Sequence, residues 1–365
     1  MAKCDLSIHL DGDRTAYRGG ETVTGTVEVR TDDEVQCKAL SVECQWRTHG
    51  KGSTARGKAL RLDVFQGAWQ AGAVQHYAFS FELPHGPFTY HGHYLNVGWF
   101  IQARADIPWA LDPKAEHEIS VEADPDRDPE WHCLVTQMHE LPEALRVEIG
   151  APSTPMTPEW QRRMAVVNYG CAAVFVVPLL IITALGLYRG ISLIQGGGDS
   201  RVWLEAALWI GVPLVFWVPL ARIFLKLLRN RAAMKRLGDV DFDVTPLALR
   251  RGESLRVRFS CRPEQAVALK RATVRVEAEE RVTRGSGTSR KTYRQRVYSH
   301  EEDLPAAENL PAGLPFQREI EIPIPPDAPP SFIAADNRLD WAVSLHLDIP
   351  RWPDWSAERA ILVHP

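Results

Sequence analysis

Three histidines stand close together in residues 85–93 (HGPFTYHGH): His85, His91 and His93. If His91 and His93 lie on one strand, their spacing of two puts both side chains on one face, as a metal site requires. Gly92 and the neighbouring prolines favour a turn instead, and no acidic or cysteine ligand has a defined spacing to them. We therefore interpret them as surface or turn histidines that are weak metal candidates at most, and we expect no cofactor.

A basic stretch later in the chain, residues 281–296 (RVTRGSGTSRKTYRQR), surrounds a Gly-Ser-Gly tip. This pattern predicts a long hairpin that could contact anionic lipid or an acidic partner through its cations. The residues concerned are Arg284, Arg290, Lys291, Arg294 and Arg296. The alternative, which we favour, is a solvated hairpin whose charges protect a sheet edge from aggregation.

Other reactive patterns fail on inspection. Asp124, Asp126 and Asp128 resemble the start of a calcium loop, but Pro129 and Val135 stand where an EF-hand has glycine and glutamate. Nucleophile-elbow, P-loop, dinucleotide and zinc-helix motifs are missing from the sequence. The formal net charge is −4. Neither strand-rich segment has a basic face of the kind that binds nucleic acid, which argues against a nucleic-acid partner. The sequence therefore predicts a protein that is not an enzyme.

Two apolar runs near the middle of the chain, at about 164–188 and 202–225, separate the remaining segments. A bilayer core needs roughly 20 helical residues, and each run reaches that length. The connector between them, residues 189–201, is short and rich in glycine. The pattern therefore predicts a two-span transmembrane hairpin, with the lipid bilayer as a partner.

Basic residues flank the outer ends of this predicted hairpin. They are Arg162, Arg163, Arg222, Lys226, Arg229, Arg231, Lys235 and Arg236. Positive charge concentrates on the cytoplasmic side of membrane proteins. The prediction is a multi-pass bacterial inner-membrane protein with both termini in the cytoplasm.

The segments on either side of the hairpin alternate apolar and polar residues in short runs broken by glycine and proline. This alternation is typical of strands that bury one face in the core of a β-sandwich. We therefore expect three regions: 1–150, a β-sandwich; 151–238, linker and hairpin; and 239–365, a second β-sandwich. The fold class is all-β tandem sandwiches plus a helical hairpin.

The two strand-rich regions resemble each other in sequence. A shift of 232 places Gly20-Glu21 on Gly252-Glu253, and a shift of 242 places Trp99 on Trp341. The second shift also places Asp106-Ile107-Pro108 on Asp348-Ile349-Pro350. These matches predict two copies of one sandwich, and the change in shift predicts a longer hairpin in the second copy, around residues 284–299.

The repeated Gly-Glu turn, a Leu-Pro step at Leu83-Pro84 and a long strand ending in Asp-Ile-Pro resemble the arrestin-like superfamily. The resemblance covers both strand-rich segments. It implies two immunoglobulin-like sandwiches that bind partner proteins on concave faces, in an inter-domain groove or at a sheet edge. It departs from that family where about 90 residues replace a short inter-domain connection.

The predicted function is a membrane-anchored, non-enzymatic scaffold or adaptor that presents two cytoplasmic sandwiches to an unidentified protein partner. Two alternatives stay open: a membrane-bound metal-dependent enzyme that uses His85, His91 and His93, and an accessory subunit of a larger membrane complex. Partner identity and oligomeric state do not follow from the sequence.

Overall fold

The structure is a computed structural model that describes residues 4–109, 112–151, 180–195, 207–209, 217, 237–304, 310–350 and 354–365. Strands dominate the described residues. The first nine strands, β1–β9, are Cys4–Leu10, Ala16–Arg18, Thr22–Thr31, Val35–Gly50, Leu60–Trp69, Val74–Glu82, Tyr90–His91, Leu95–Asp106 and Lys114–Glu122. The next nine, β10–β18, are Asp239–Thr245, Ala248–Arg250, Ser254–Arg262, Arg271–Arg284, Lys291–Leu304, Phe316–Pro323, Phe332–Ala334, Asn337–Asp348 and Trp355–His364.

Each group of nine strands forms two sheets, which is consistent with tandem β-sandwiches. In the first group, which we call the first copy, the orders are β1-β3-β6 and β2-β9-β8-β4-β5, with β7 against β8. In the second copy, the orders are β10-β12-β15 and β11-β18-β17-β13-β14, with β16 against β17. The two orders are the same when nine is added to each label, so the predicted duplication is confirmed in the strand order.

The turn that carries the repeated Gly-Glu pair has the same backbone in both copies. Gly20 has φ 87° and Gly252 has φ 82°, a left-handed region that favours glycine. The glycine N–H groups donate to the carbonyls of Leu83 and Ile324, at 3.1 Å and 2.9 Å. The Gly-Glu turn therefore joins the third strand of each copy to the end of its sixth.

The second copy has the longer hairpin, as predicted. In register, Cys44 pairs with Leu60 in the first copy, whereas the equivalent Val276 pairs with His300 in the second. The β13–β14 ladder continues to Arg284 and Lys291. In the first copy, residues 51–59 instead fold back on the end of β4.

The apolar faces of all four sheets form the core. Along most of β13 and β17, buried residues alternate with half-buried ones, as a strand with one face against a core requires. Trp99 and Trp341 are the largest of the fully buried side chains, and each indole N–H donates to a proline carbonyl twelve residues earlier: Pro87 at 2.7 Å and Pro329 at 3.0 Å.

A short segment after β9, residues 123–151, packs against the second copy, and we call it the connecting segment. It contains the helix α1, Glu143–Glu148, and single-turn 3-10 helices at Trp131–Cys133 and Met138–Glu140. Val135 forms a parallel bridge with Ile333 of the second copy. A second apolar cluster collects side chains from both copies and from this segment: Phe88, Leu134, Val135, Leu141, Leu145, Ile333 and Leu362.

The prediction of a transmembrane hairpin is contradicted. Across the residues that the structure describes, every helix is too short or too polar to cross a bilayer. Residues 180–195 are helical, and this helix runs past the predicted end of the first span through the charged Arg189, which a span of roughly 20 apolar residues would not contain. The predictions of a membrane protein and of a multi-pass inner-membrane location are contradicted with it. Of the second predicted span, residues 207–209 and 217 are described and are helical; the rest of both predicted spans lies outside the described residues.

Candidate functional site

The two copies meet at Glu280, which lies on the inward face of β13 and is fully buried. Its carboxylate accepts four hydrogen bonds from residues 90–95 of the first copy. Oε1 accepts from the Tyr90 hydroxyl at 2.7 Å and from the His93 N–H at 3.0 Å; Oε2 accepts from the N–H groups of Tyr94 at 2.6 Å and Leu95 at 3.3 Å. We call this set the Glu280 junction.

The loop of the first copy is shaped to admit this carboxylate. A Cβ added at Gly92 would collide with Glu280 Oε1, so the close approach requires glycine. Burial, followed by the hydrogen bond and the charge of Glu280, raises the pKa of Tyr90 far above its usual range. Tyr90 is therefore a neutral hydrogen-bond donor to Glu280 at neutral pH.

Further contacts hold the two copies together around this junction. Asn337 Nδ2 donates to the carbonyl of Ser53 at 2.5 Å, and Arg338 contacts Glu140 at 2.7 Å. The Lys51 ammonium lies 5.5 Å from the centre of the Tyr293 ring of the second copy. Polar contacts from three segments thus fix how the second copy sits against the first.

The outward face of the β18-β17-β13-β14 sheet carries a groove of alternating charge. One cavity of about 590 Å³ is lined by residues that include Arg271, Arg275, Glu301, His346, Asp348, Asp354 and Glu358. A second, of about 490 Å³, lies towards the connecting segment and is lined by residues that include Glu140, Glu277, Glu279, Arg281, Arg294, Arg338, Asp340 and Glu358. We call the two together the second-copy groove; acidic groups outnumber basic ones in both of these sets.

The predicted basic hairpin forms the outer edge of this sheet, because β14 is the last strand in its order. Three of its five basic residues contact acids of the same chain. Arg290 lies 3.3 Å from Asp336, Arg294 lies 3.6 Å from Glu279, and Arg296 lies 3.0 Å from Glu277. Arg284 and Lys291 pair across the ladder near the tip and make no ion pair with any described residue. Most of the predicted cationic surface is therefore neutralised within the chain.

The structure separates the three histidines of the weak metal prediction. His91 lies on β7 opposite Asn96, and His93 uses its backbone N–H at the Glu280 junction. The His85 imidazole lies near Glu130 instead, with Nε2 3.8 Å from Oε1. The eight basic residues predicted to flank the spans lie outside the described residues.

Two features were missed in the sequence. One is Glu280, whose signal is an acidic residue at an inward position of an alternating strand, between Ala278 and Val282. The other is a group formed by Glu130, His132 and Cys133, whose ligand atoms all lie within 4.8 Å of one another. Its signal is the local sequence Glu-Trp-His-Cys, which follows directly on the rejected calcium-loop motif.

Comparison with known proteins assigns no family to this chain. No family model matches the chain, and no curated protein matches it. Among solved structures, the chain is similar to Spo0M, a sporulation control protein from Bacillus subtilis, with 25% sequence identity and a TM-score of 0.28. The match covers 34% of this chain and 51% of that one, about half of its length. At this TM-score the likeness decides neither the fold nor the function of this chain.

Proposed function

We propose that this protein is a non-enzymatic scaffold that binds an extended segment of a partner protein along the free edge of β14. The observation that carries the proposal is the combination of that edge with the second-copy groove on the same sheet. The Glu280 junction supports it, because a scaffold needs its two halves held in one arrangement.

The edge itself offers the backbone groups that a partner strand needs. The terminal strand of a sheet has one row of unpaired N–H and C=O groups, and added strands bind there through main-chain hydrogen bonds. The strand β14 is fourteen residues long, and most of its side chains are exposed. It is longer than β5, the equivalent edge of the first copy.

The charge of the groove indicates which segment would fit. The Glu301, Asp354 and Glu358 side chains lie along the first cavity, where acidic groups exceed basic ones. Complementary charge steers association and selects partners. A segment with basic side chains on alternate positions therefore fits this edge better than an acidic one.

Binding of two labelled peptides of strand length tests the proposal: one alternates threonine with lysine, and the other alternates threonine with glutamate. We expect the lysine peptide to bind about tenfold more tightly in fluorescence anisotropy at low salt. Binding should slow backbone hydrogen exchange in Lys291–Leu304. Equal affinities, or protection confined to another strand, would reject the proposal.

Charge-reversal variants locate the contact. Glu301→Lys should weaken binding of the lysine peptide, because this carboxylate lies on β14 itself and lines the groove. Asp354→Lys should weaken it less, because Asp354 lies beside β18, three strands away from β14 in the sheet. Asp243→Lys, which makes the same charge change on the exposed side of β10, serves as the matched control. An equal loss in the control would show that net charge alone determines binding.

A further inference from the structure

A compact group of nitrogen, sulfur and oxygen ligands lies at the start of the connecting segment. Glu130 Oε2 is 3.3 Å from His132 Nε2 and 3.8 Å from Cys133 Sγ. With metal–ligand bonds of 2.0–2.3 Å, the edges of a tetrahedron around Zn²⁺ measure roughly 3.3–3.8 Å. These two separations match those edges, and the third ligand pair, His132 and Cys133, lies within 4.8 Å.

A fourth ligand approaches from the first copy. His85, in the loop between β6 and β7, places Nε2 3.8 Å from Glu130 Oε1. Its Nδ1 is buried and has no hydrogen-bond partner among the described residues. Gly86 permits the approach, because a Cβ at that position would lie 2.7 Å from the Cβ of Cys133. The loop and the connecting segment thus face each other across one small space.

We propose that Glu130, His132 and Cys133 form a binding site for a divalent transition metal such as Zn²⁺, and that His85 becomes the fourth ligand when its ring moves toward them. One thiolate, two imidazoles and one carboxylate are ligands that Zn²⁺ favours, and four protein ligands are typical of a structural rather than a catalytic site. On binding, the Cys133 thiol loses its proton to solvent and the sulfur coordinates the metal.

Arg127 is the competing cation at this site. Its guanidinium lies 3.0 Å from Glu130 Oε1, and its side chain is 51% exposed. It can move into solvent when a metal takes its place beside the carboxylate. The charge on Glu130 is thus balanced by arginine in one state and by the metal in the other.

The position of the site gives the metal a structural consequence. Directly after Cys133, the Leu134 carbonyl accepts from Ile333 N–H at 2.8 Å, and Thr136 N–H donates to the Ile333 carbonyl at 2.8 Å. A bound metal therefore fixes the connecting segment to the first copy immediately before it pairs with the second. Binding to the folded state alone raises stability with metal concentration.

Titration of the full chain with Zn²⁺ against a chromophoric chelator, and with Co²⁺ by absorption, tests the site. We expect one equivalent of Zn²⁺ and a thiolate-to-cobalt charge-transfer band. Cys133→Ser should abolish the band. Cys133→Ser and His132→Asn should each lower Zn²⁺ affinity about a hundredfold, since loss of even a residue that only hydrogen-bonds to a metal ligand costs 10–100-fold. Absence of stoichiometric binding to the wild-type chain would overturn the proposal.

Two controls separate the site from nonspecific loss. His76→Asn removes an exposed histidine that also lies beside a glutamate, Glu28 at 3.9 Å, and should leave Zn²⁺ affinity unchanged. Circular dichroism verifies that each variant is folded. If Cys133→Ser does not fold, His132→Asn decides the matter, because that side chain is 70% exposed and its loss spares the core. Unchanged Zn²⁺ affinity in folded His132→Asn would also overturn the proposal.

Discussion

The two copies share one plan but use the same strand position differently. In register, Thr48 on β4 and Glu280 on β13 are equivalent, and both are buried. Thr48 Oγ1 accepts a hydrogen bond from Ala55 N–H in the loop of its own copy, at 2.8 Å. Glu280 instead accepts four hydrogen bonds from the other copy. One longer acidic side chain thus turns a local contact into a junction between copies.

The largest effect should come from Glu280→Ala. This change leaves the Tyr90 hydroxyl and three backbone N–H groups without their acceptor in a buried position, and we expect the free energy of unfolding to fall by about 3–5 kcal/mol. Urea unfolding followed by tryptophan fluorescence measures the loss. If the two copies depend on the junction, the transition should also separate into two steps.

The control for this prediction is the adjacent Glu279→Gln. Glu279 contacts Arg294 at 3.6 Å on the exposed face, so its loss should change stability by about 0.5 kcal/mol or less. Similar losses in the two variants would show that burial at the junction has no special role.

We expect Trp99→Phe and Trp341→Phe to lower the stability by equal, intermediate amounts. Each substitution removes an indole N–H and leaves a proline carbonyl, of Pro87 or Pro329, without its donor. We expect each change to lower the free energy of unfolding by about 2 kcal/mol. Thermal and urea unfolding of both variants provide the measurement; unequal losses would show that the two cores differ more than their geometry indicates.

The smallest expected effect is on the stability of the folded protein at acidic pH. Hydrogen bonds from Arg271, then from Thr273, hold the pKa of Asp303 below its ordinary value of 3.8. The folded state therefore binds this proton less readily than the unfolded state, so the stabilisation is present above pH 3.8 and is lost as pH falls below it. Asp303→Asn should slightly flatten the fall in stability on acidification.

Unfolding at a series of pH values below about 5 provides this measurement. The equivalent first-copy change, Asp63→Asn, is the comparison, because Asp63 lies beside Arg61 at 3.1 Å on an exposed surface. A larger effect at Asp63 would reverse the expected order of the two copies.

Much of the fold follows from local sequence pattern. The strands, the Gly-Glu turns and the equivalence of Trp99 with Trp341 could be predicted because alternation and glycine conformation are local properties. The membrane hairpin was wrong because length and hydropathy were counted without knowing where a helix ends. Residues 180–195 cross the predicted boundary and place Arg189 within the helix.

The sites could be predicted only in part. The basic hairpin was located, but its ion pairs with Glu277 and Glu279 arise from strand register across β13 and β14. His85 was singled out with the wrong partners, since its true neighbour, Glu130, lies more than forty positions away in the chain. Contacts across copies depend on tertiary packing, which no local pattern encodes.

The separation of the junction contacts along the chain determines the order of folding. Glu280 contacts residues 185–190 positions away, and Asn337 contacts Ser53 across 284 positions. Closing such long loops is entropically costly, so each sandwich is expected to form before the two dock. Interactions absent from the transition state act mainly on the unfolding rate. The Glu280 junction therefore determines how long the assembled molecule survives rather than how quickly it forms.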